Sequence, residues 1–257
     1  MARTKTRLLT TTVVPFVVVI GIAVGGAVVA TQLTAGPAYA ACNPCNPCAG
    51  GSASLKCAVP RLQAAAACNP CAVAKPCNPC SPCNPCDAAG AAQLTDAEAV
   101  AVYDCLLNEM RAAYARSGHP VAASYSEWRR YSKNAYASAT HGGRYVQNYA
   151  NPAAKAYGAF EDAGVMPAGA VLAKDSFMVQ ADGRASAGPL FIMEKMPAGF
   201  YDDSDDWRYT MITPDGEVFG TTKGEGSAKV EFCIGCHVTV APEFDSLFFM
   251  PEDYRVR

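Results

Sequence analysis

The chain has 257 residues, room for one ordinary domain with extensions or for two small ones. Its 21 basic and 23 acidic residues give a formal net charge of -2, without the cation excess by which a nucleic-acid binder neutralises phosphates. With 51% apolar and 17% charged residues it is not a charge-rich disordered chain, and its 13 cysteines are unevenly spread. Ten lie between Cys42 and Cys86; the others are Cys105, Cys233 and Cys236.

Arg3, Lys5 and Arg7 precede an uncharged apolar run from Leu8 to Leu33, and Ala38-Tyr39-Ala40 supplies a small-residue exit. Basic start, apolar middle and small-residue exit describe a secretory signal over residues 1–40. The run is also long enough to cross a bilayer, so an uncleaved membrane anchor is the alternative. Either way the rest of the chain is expected in a periplasmic or other extracytoplasmic space. Removing residues 1–40 leaves 18 basic against 23 acidic residues, a formal charge of -5.

Residues 41–93 repeat a Cys-Asn-Pro triplet, as in Cys42-Asn43-Pro44-Cys45 and in Cys77-Asn78-Pro79-Cys80. Proline at every third position favours extended polyproline geometry. Large aliphatic and aromatic side chains are nearly absent, so the segment reads as a disordered, low-complexity linker. Ten cysteines are an even number and can pair completely as disulfides; binding of soft metal and thiol exchange are the alternatives.

The globular part is expected over residues 94–257. Thr95-Asp96-Ala97-Glu98 is a capping box, and Val102, Leu106, Met110 and Tyr114 recur on one helical face that ends near Ser117-Gly118. Cys105 falls near that face and reads as a buried free thiol. A second helix is expected over 122–131 and a third from Asn151-Pro152 to about Ala163. Beyond Gly164 the pattern turns to strands: one over 170–179, a turn at Ala181 to Arg184, and a partner from Leu190 to Met196. Trp207 to Ile212 and Glu217 to Phe219 flank Pro214-Asp215-Gly216 as a second hairpin. Helices followed by antiparallel strands predict an α+β domain.

Cys233-Ile234-Gly235-Cys236-His237 is C-x-x-C-H, the attachment signature of covalent haem c. Two thiols at this spacing can form thioethers with both vinyl groups, and the histidine that follows can ligate the iron. A zinc site would need a second Cys/His pair, which the domain lacks at ligand spacing. The other face of the iron decides function. A histidine or methionine there makes an electron carrier; an open face binds small ligands. His119 reads as a surface or capping residue and His141 as structural. Met166, Met178, Met193 and Met196 read as core fillers.

The stretches Tyr149-Ala150-Asn151-Pro152 through Met166-Pro167-Ala168-Gly169 to Lys174-Asp175, Phe191 to Met196, Asp206-Trp207-Arg208-Tyr209 and the C-x-x-C-H with Asp245-Ser246-Leu247-Phe248 beyond it resemble the cytochrome P-460 family over roughly residues 125–257. The resemblance implies a mainly antiparallel sheet, often in a homodimer, carrying one five-coordinate haem c. Name-giving members have a lysine bonded to the haem and oxidise hydroxylamine, passing electrons to an acceptor cytochrome. Related beta-type cytochromes c prime bind nitric oxide or carbon monoxide. At the matching places this sequence has Lys174 for the cross-link and Glu194 for the distal proton acceptor. The Cys-Asn-Pro segment has no counterpart in that pattern.

The residues bear on both assignments. Lys174 sits among Leu172-Ala173 and Phe177-Met178, where burying a free ammonium is costly and a covalent link would remove the cost. Glu194 ends the apolar run Leu190 to Met193, where burial would raise its pKa and suit it to accept protons. A salt bridge, to Lys195 of a partner subunit or to Arg208, is its alternative.

Overall fold

A computed structural model describes residues 57–67 and 92–256. The expected signal or anchor of residues 1–40 and most of the Cys-Asn-Pro repeat lie outside these. No helix among the described residues is long and apolar enough to cross a membrane.

A short helix, α1 (Pro60–Ala67), precedes the long α2 (Asp96–Ala115). The expected capping box starts α2: the Glu98 amide donates to Thr95 Oγ1 and the Thr95 amide to Glu98 Oε2. Its apolar stripe buries Val102, Tyr103, Leu106, Met110 and Tyr114. The helix expected over 122–131 is different. It starts earlier as α3 (Pro120–Ser124), tightens into a 3-10 turn at Tyr125–Glu127, and gives way to strand β1 (Arg129–Arg130). Trp128 is extended, and Arg129 and Arg130 pair with Ala150 and Tyr149, so sheet partners satisfy backbone that a helix would have used. The segment Pro152–Asp162 is likewise made of 3-10 turns, capped by Asn151 and interrupted at Phe160, whose φ is 55°.

Strands β2 (Tyr136–Ser138) and β3 (Arg144–Ala150) had no sequence signal. All seven residues of β3 are buried, so it shows no alternation of polar and apolar positions. The expected hairpins form β4 (Val171–Val179), β5 (Ala185–Ala187), β6 (Leu190–Lys195), β7 (Trp207–Ile212) and β8 (Val218–Thr221). The eight strands make one antiparallel sheet in the order β1-β3-β4-β6-β7-β8, with β2 on β3 and β5 on β4. Two short helices, α4 (Glu231–His237) and α5 (Ala241–Phe244), follow.

Both faces of the sheet are covered. Along β4, Val171, Ala173, Phe177 and Val179 pack with α2, whereas Leu172 packs with the C-terminal segment and the haem-attachment motif. In β6, Leu190 and Ile192 join the first group and Met193 the second. Side chains alternate along a strand, so these residues fix the direction of every neighbour.

Cys105 is not a free thiol. It is disulfide-bonded to Cys57, with Cα atoms 5.7 Å apart. The linker therefore docks here: Val59 is buried, its amide donates to the Gly183 carbonyl at 2.8 Å, and Arg61 bonds Glu98 at the start of α2. Gly183 has φ +80°, and a Cβ on it would lie 2.6 Å from the Val59 carbonyl oxygen, so this contact needs glycine. Cys57 and Val59 are 5% and 2% exposed, which makes this stretch part of the core.

Candidate haem site

The C-x-x-C-H residues occupy α4, which places the thiols of Cys233 and Cys236 nearly one turn apart with His237 at the helix end. Neither cysteine is in a disulfide; Cys233 is partly buried and Cys236 exposed. Burial pushes the Cys233 thiol up to about 12. The His237 imidazole is pulled down to about 4, first by burial and then by the positive charge of Lys174. Its ring lies 5.2 Å from that of Tyr209 and 5.3 Å from that of Phe248.

One ring nitrogen of His237 is already committed. Nδ1 donates to the Ser246 carbonyl at 2.7 Å, which leaves Nε2 as the acceptor nitrogen. Two successive residues in left-handed conformation, Asp245 (φ 49°) and Ser246 (φ 65°), turn that carbonyl toward the imidazole. The turn is locked on three sides. Lys195 forms a buried ion pair with the Asp245 carboxylate, the Met166 amide donates to its other oxygen at 2.7 Å, and Trp207 Nε1 donates to the Asp245 carbonyl at 2.8 Å. Lys195 and Trp207 stand opposite each other on β6 and β7, so the sheet itself holds the histidine's anchor.

Lys174 shares the face of β4 with Leu172 and hence points to the haem-attachment side. It is 9% exposed and makes no hydrogen bond or ion pair among the described residues. Burial pulls its ammonium down to about 8. In register it stands between Asn148 of β3 and Phe191 of β6. Asn148 is held by neighbours: its Oδ1 accepts from Tyr136 and its Nδ2 donates to Tyr157.

Glu194 is on the opposite face. It pairs in register with Val171 and shares its side with Ile192, toward the helices. Arg208 binds it through two bonds of 2.8 and 2.7 Å, and His119 Nε2 lies 4.0 Å away. The structure thus does not bring Glu194 to Lys174; of the two expectations for this carboxylate, the salt bridge to Arg208 is the one realised. The cause is strand parity, since adjacent residues of β6 point to opposite sides. His119 supplies the N-cap position of α3 without a side-chain cap bond. Met166 and Met193 are buried in the core beside the motif, as core fillers.

His141 does reach the haem-attachment side. Its ring lies 4.8 Å from that of Phe191, the register partner of Lys174. The Asp245-Ser246 turn, with Lys195 and Trp207 behind it, also belongs to the site. In the sequence Asp245 stood out only as a piece of a resemblance and Trp207 only as that and as a hairpin residue; nothing signalled the carbonyl that holds the imidazole.

The donor set fits haem c: two thiols at the required spacing, an imidazole with only Nε2 left to bind iron, and a buried lysine on the same side of the sheet, unpaired among the described residues. Fold and site define a c-type haem domain built on one face of an antiparallel sheet. Residues 122–249 match the model of the cytochrome P460 family, and this haem domain belongs to that family, whose members bind haem c covalently. No curated protein matched the chain.

Proposed function

We propose that the protein is an exported mono-haem oxidoreductase that oxidises hydroxylamine, with nitric oxide as a further ligand of the same site. When bound, haem c would supply a redox-active iron able to take a small nitrogen ligand. Cys233 and Cys236 would hold it through thioethers, His237 Nε2 would hold the iron, and Lys174 Nζ would be the group that bonds the macrocycle. The observation that carries the reading is Lys174: a buried lysine with no hydrogen bond or ion pair among the described residues, on the face of the sheet that bears the attachment motif. A free ammonium there is costly, and a covalent bond at Nζ removes the cost. The Cys57–Cys105 disulfide supports an oxidising, extracytoplasmic compartment. Electrons pass to an acceptor cytochrome, for which Phe232, 61% exposed beside Cys233, offers an apolar contact next to the haem. The protein works as a homodimer, which sedimentation checks.

The holoprotein should show a ferrous Soret band far to the red of an ordinary cytochrome c, and digestion should release haem joined to a peptide containing Lys174. Lys174→Ala should retain haem and lose hydroxylamine turnover. A low-spin spectrum with a methionine charge-transfer band would sink the reading. Unchanged turnover in the variant would remove Lys174 from the mechanism, and a cross-linked protein inert to hydroxylamine would be a gas-binding cytochrome.

A further inference from the structure

We infer that His141 is the catalytic base of this site, accepting a proton from hydroxylamine bound on the side of the haem opposite His237. The inference rests on the reading above and supplies the base that the position of Glu194 removes from it.

The chain is folded to bring this ring in. After β2 it makes a 3-10 turn at Ala139–His141, and two successive left-handed glycines, Gly142 (φ 72°) and Gly143 (φ 68°), return it to β3. The Gly143 amide closes the turn on the Ser138 carbonyl at 3.0 Å. Ser138 Oγ lies 2.9 Å and Thr140 Oγ1 3.3 Å from His141 Nδ1, so that nitrogen is fixed from the turn itself. With Nδ1–H donating to Ser138, Nε2 carries the lone pair, and no group among the described residues bonds it. The ring rests on Phe191, and Phe191 faces Lys174 across the β4–β6 ladder.

Of the other titratable groups on this side, Lys195 is bound to Asp245, and the Tyr209 hydroxyl is buried without a hydrogen-bond partner among the described residues, where burial keeps it a protonated phenol that cannot serve as a base. The titratable groups nearest the imidazole are Lys174 of β4 and His237 of α4, with Arg144 at the head of β3 close to the same turn. Burial is the first cause that holds His141 well below its ordinary pKa, and it persists when Lys174 and His237 are engaged by the haem, so the ring is neutral and able to accept a proton. In the step proposed, one N–H bond of the bound hydroxylamine breaks. Its electron pair stays on nitrogen, and the proton forms a new bond to His141 Nε2. The electrons removed in the oxidation go to the acceptor cytochrome.

The test uses the haem-loaded protein, its His141→Leu variant and the conservative His141→Gln. Two measurements are compared: hydroxylamine turnover against pH, and the C–O stretch of the ferrous carbon monoxide complex against pH. In the wild type, acidification should move the stretch to lower wavenumber as the imidazolium begins to donate to the ligand. In both variants the stretch should not respond, turnover should fall by roughly 10²–10⁴-fold, and the acid limb of the pH profile should vanish. If the stretch responds to pH in His141→Leu as in the wild type, or turnover stays within about twofold, the inference is overturned. It is also overturned if the ferric wild type is six-coordinate and low-spin and the variant becomes high-spin, because His141 is then an iron ligand. A wild type that does not oxidise hydroxylamine defeats the proposed function; the infrared comparison then decides separately whether His141 faces the ligand.

Discussion

Asp245 illustrates how much of a haem site can rest on a residue that touches no haem. Its carboxylate takes Lys195 and the Met166 amide, its carbonyl takes Trp207, and its left-handed backbone aims the next carbonyl at His237. Asp245→Ala leaves Lys195 with only the Asp205 carbonyl at 2.8 Å and the Asp205 carboxylate at 3.5 Å, and the unfolding free energy should drop by about 1–3 kcal/mol in urea titrations. The C-x-x-C-H motif was readable in the sequence because its chemistry is set by spacing. The anchor was not, because a backbone carbonyl has no residue type to announce it. The face on which Glu194 lies, and its pairing with Arg208, could not be read for another reason: family likeness indicated the strand, but a shift of one position on a strand exchanges the two faces of a sheet. The place of His141 beside Phe191 was not legible because the turn that carries it lies between two strands, β2 and β3, that showed no period-two signal.

Element by element, the sequence was most legible where one face is solvated or a turn has its own chemistry. The capped α2 and the Asp-Gly hairpin of β7 and β8 came out as expected; β3, buried throughout, did not. Strand β4 carries two unlike groups side by side. Lys174 points to the haem-attachment side, while Asp175 points to the helices, accepting from Tyr103 at 2.8 Å and Tyr125 at 2.9 Å and leaving Oδ1 without a partner. Burial raises the Asp175 carboxyl to about 7 from 3.8. Between these values the folded chain holds a proton that the unfolded chain has lost, so stability falls as pH rises from about 4 to about 7 and then levels off. The loss is on the order of 4 kcal/mol at most, and Asp175→Asn should flatten it in midpoints of thermal unfolding measured across that range. The bond between Cys57 and α2 closes a separation of 48 residues. Cys105→Ser should lower stability by about 4 kcal/mol on the chain-entropy account, read as a shift of the urea midpoint under non-reducing conditions.

At the scale of the whole molecule, the order of helices, strands and attachment motif predicted the α+β architecture, and the sheet separates a haem-facing side from a helix-facing side. The disulfide also changes the arithmetic of the repeat. Of the ten cysteines between Cys42 and Cys86, Cys57 bonds Cys105, and nine remain. With Cys233 and Cys236 assigned to haem, nine is an odd number, so those cysteines cannot saturate one another within the chain. An oxidised monomer must keep at least one sulfur with an open valence, to be found as a titratable thiol, a bound metal or a bridge to a second molecule. Thiol titration of the denatured holoprotein, alongside electrophoresis without reductant, should therefore show at least one reactive group or a band above the monomer. By closing one bond on the haem domain, Cys57 leaves the repeat with an odd sulfur to serve as a covalent handle.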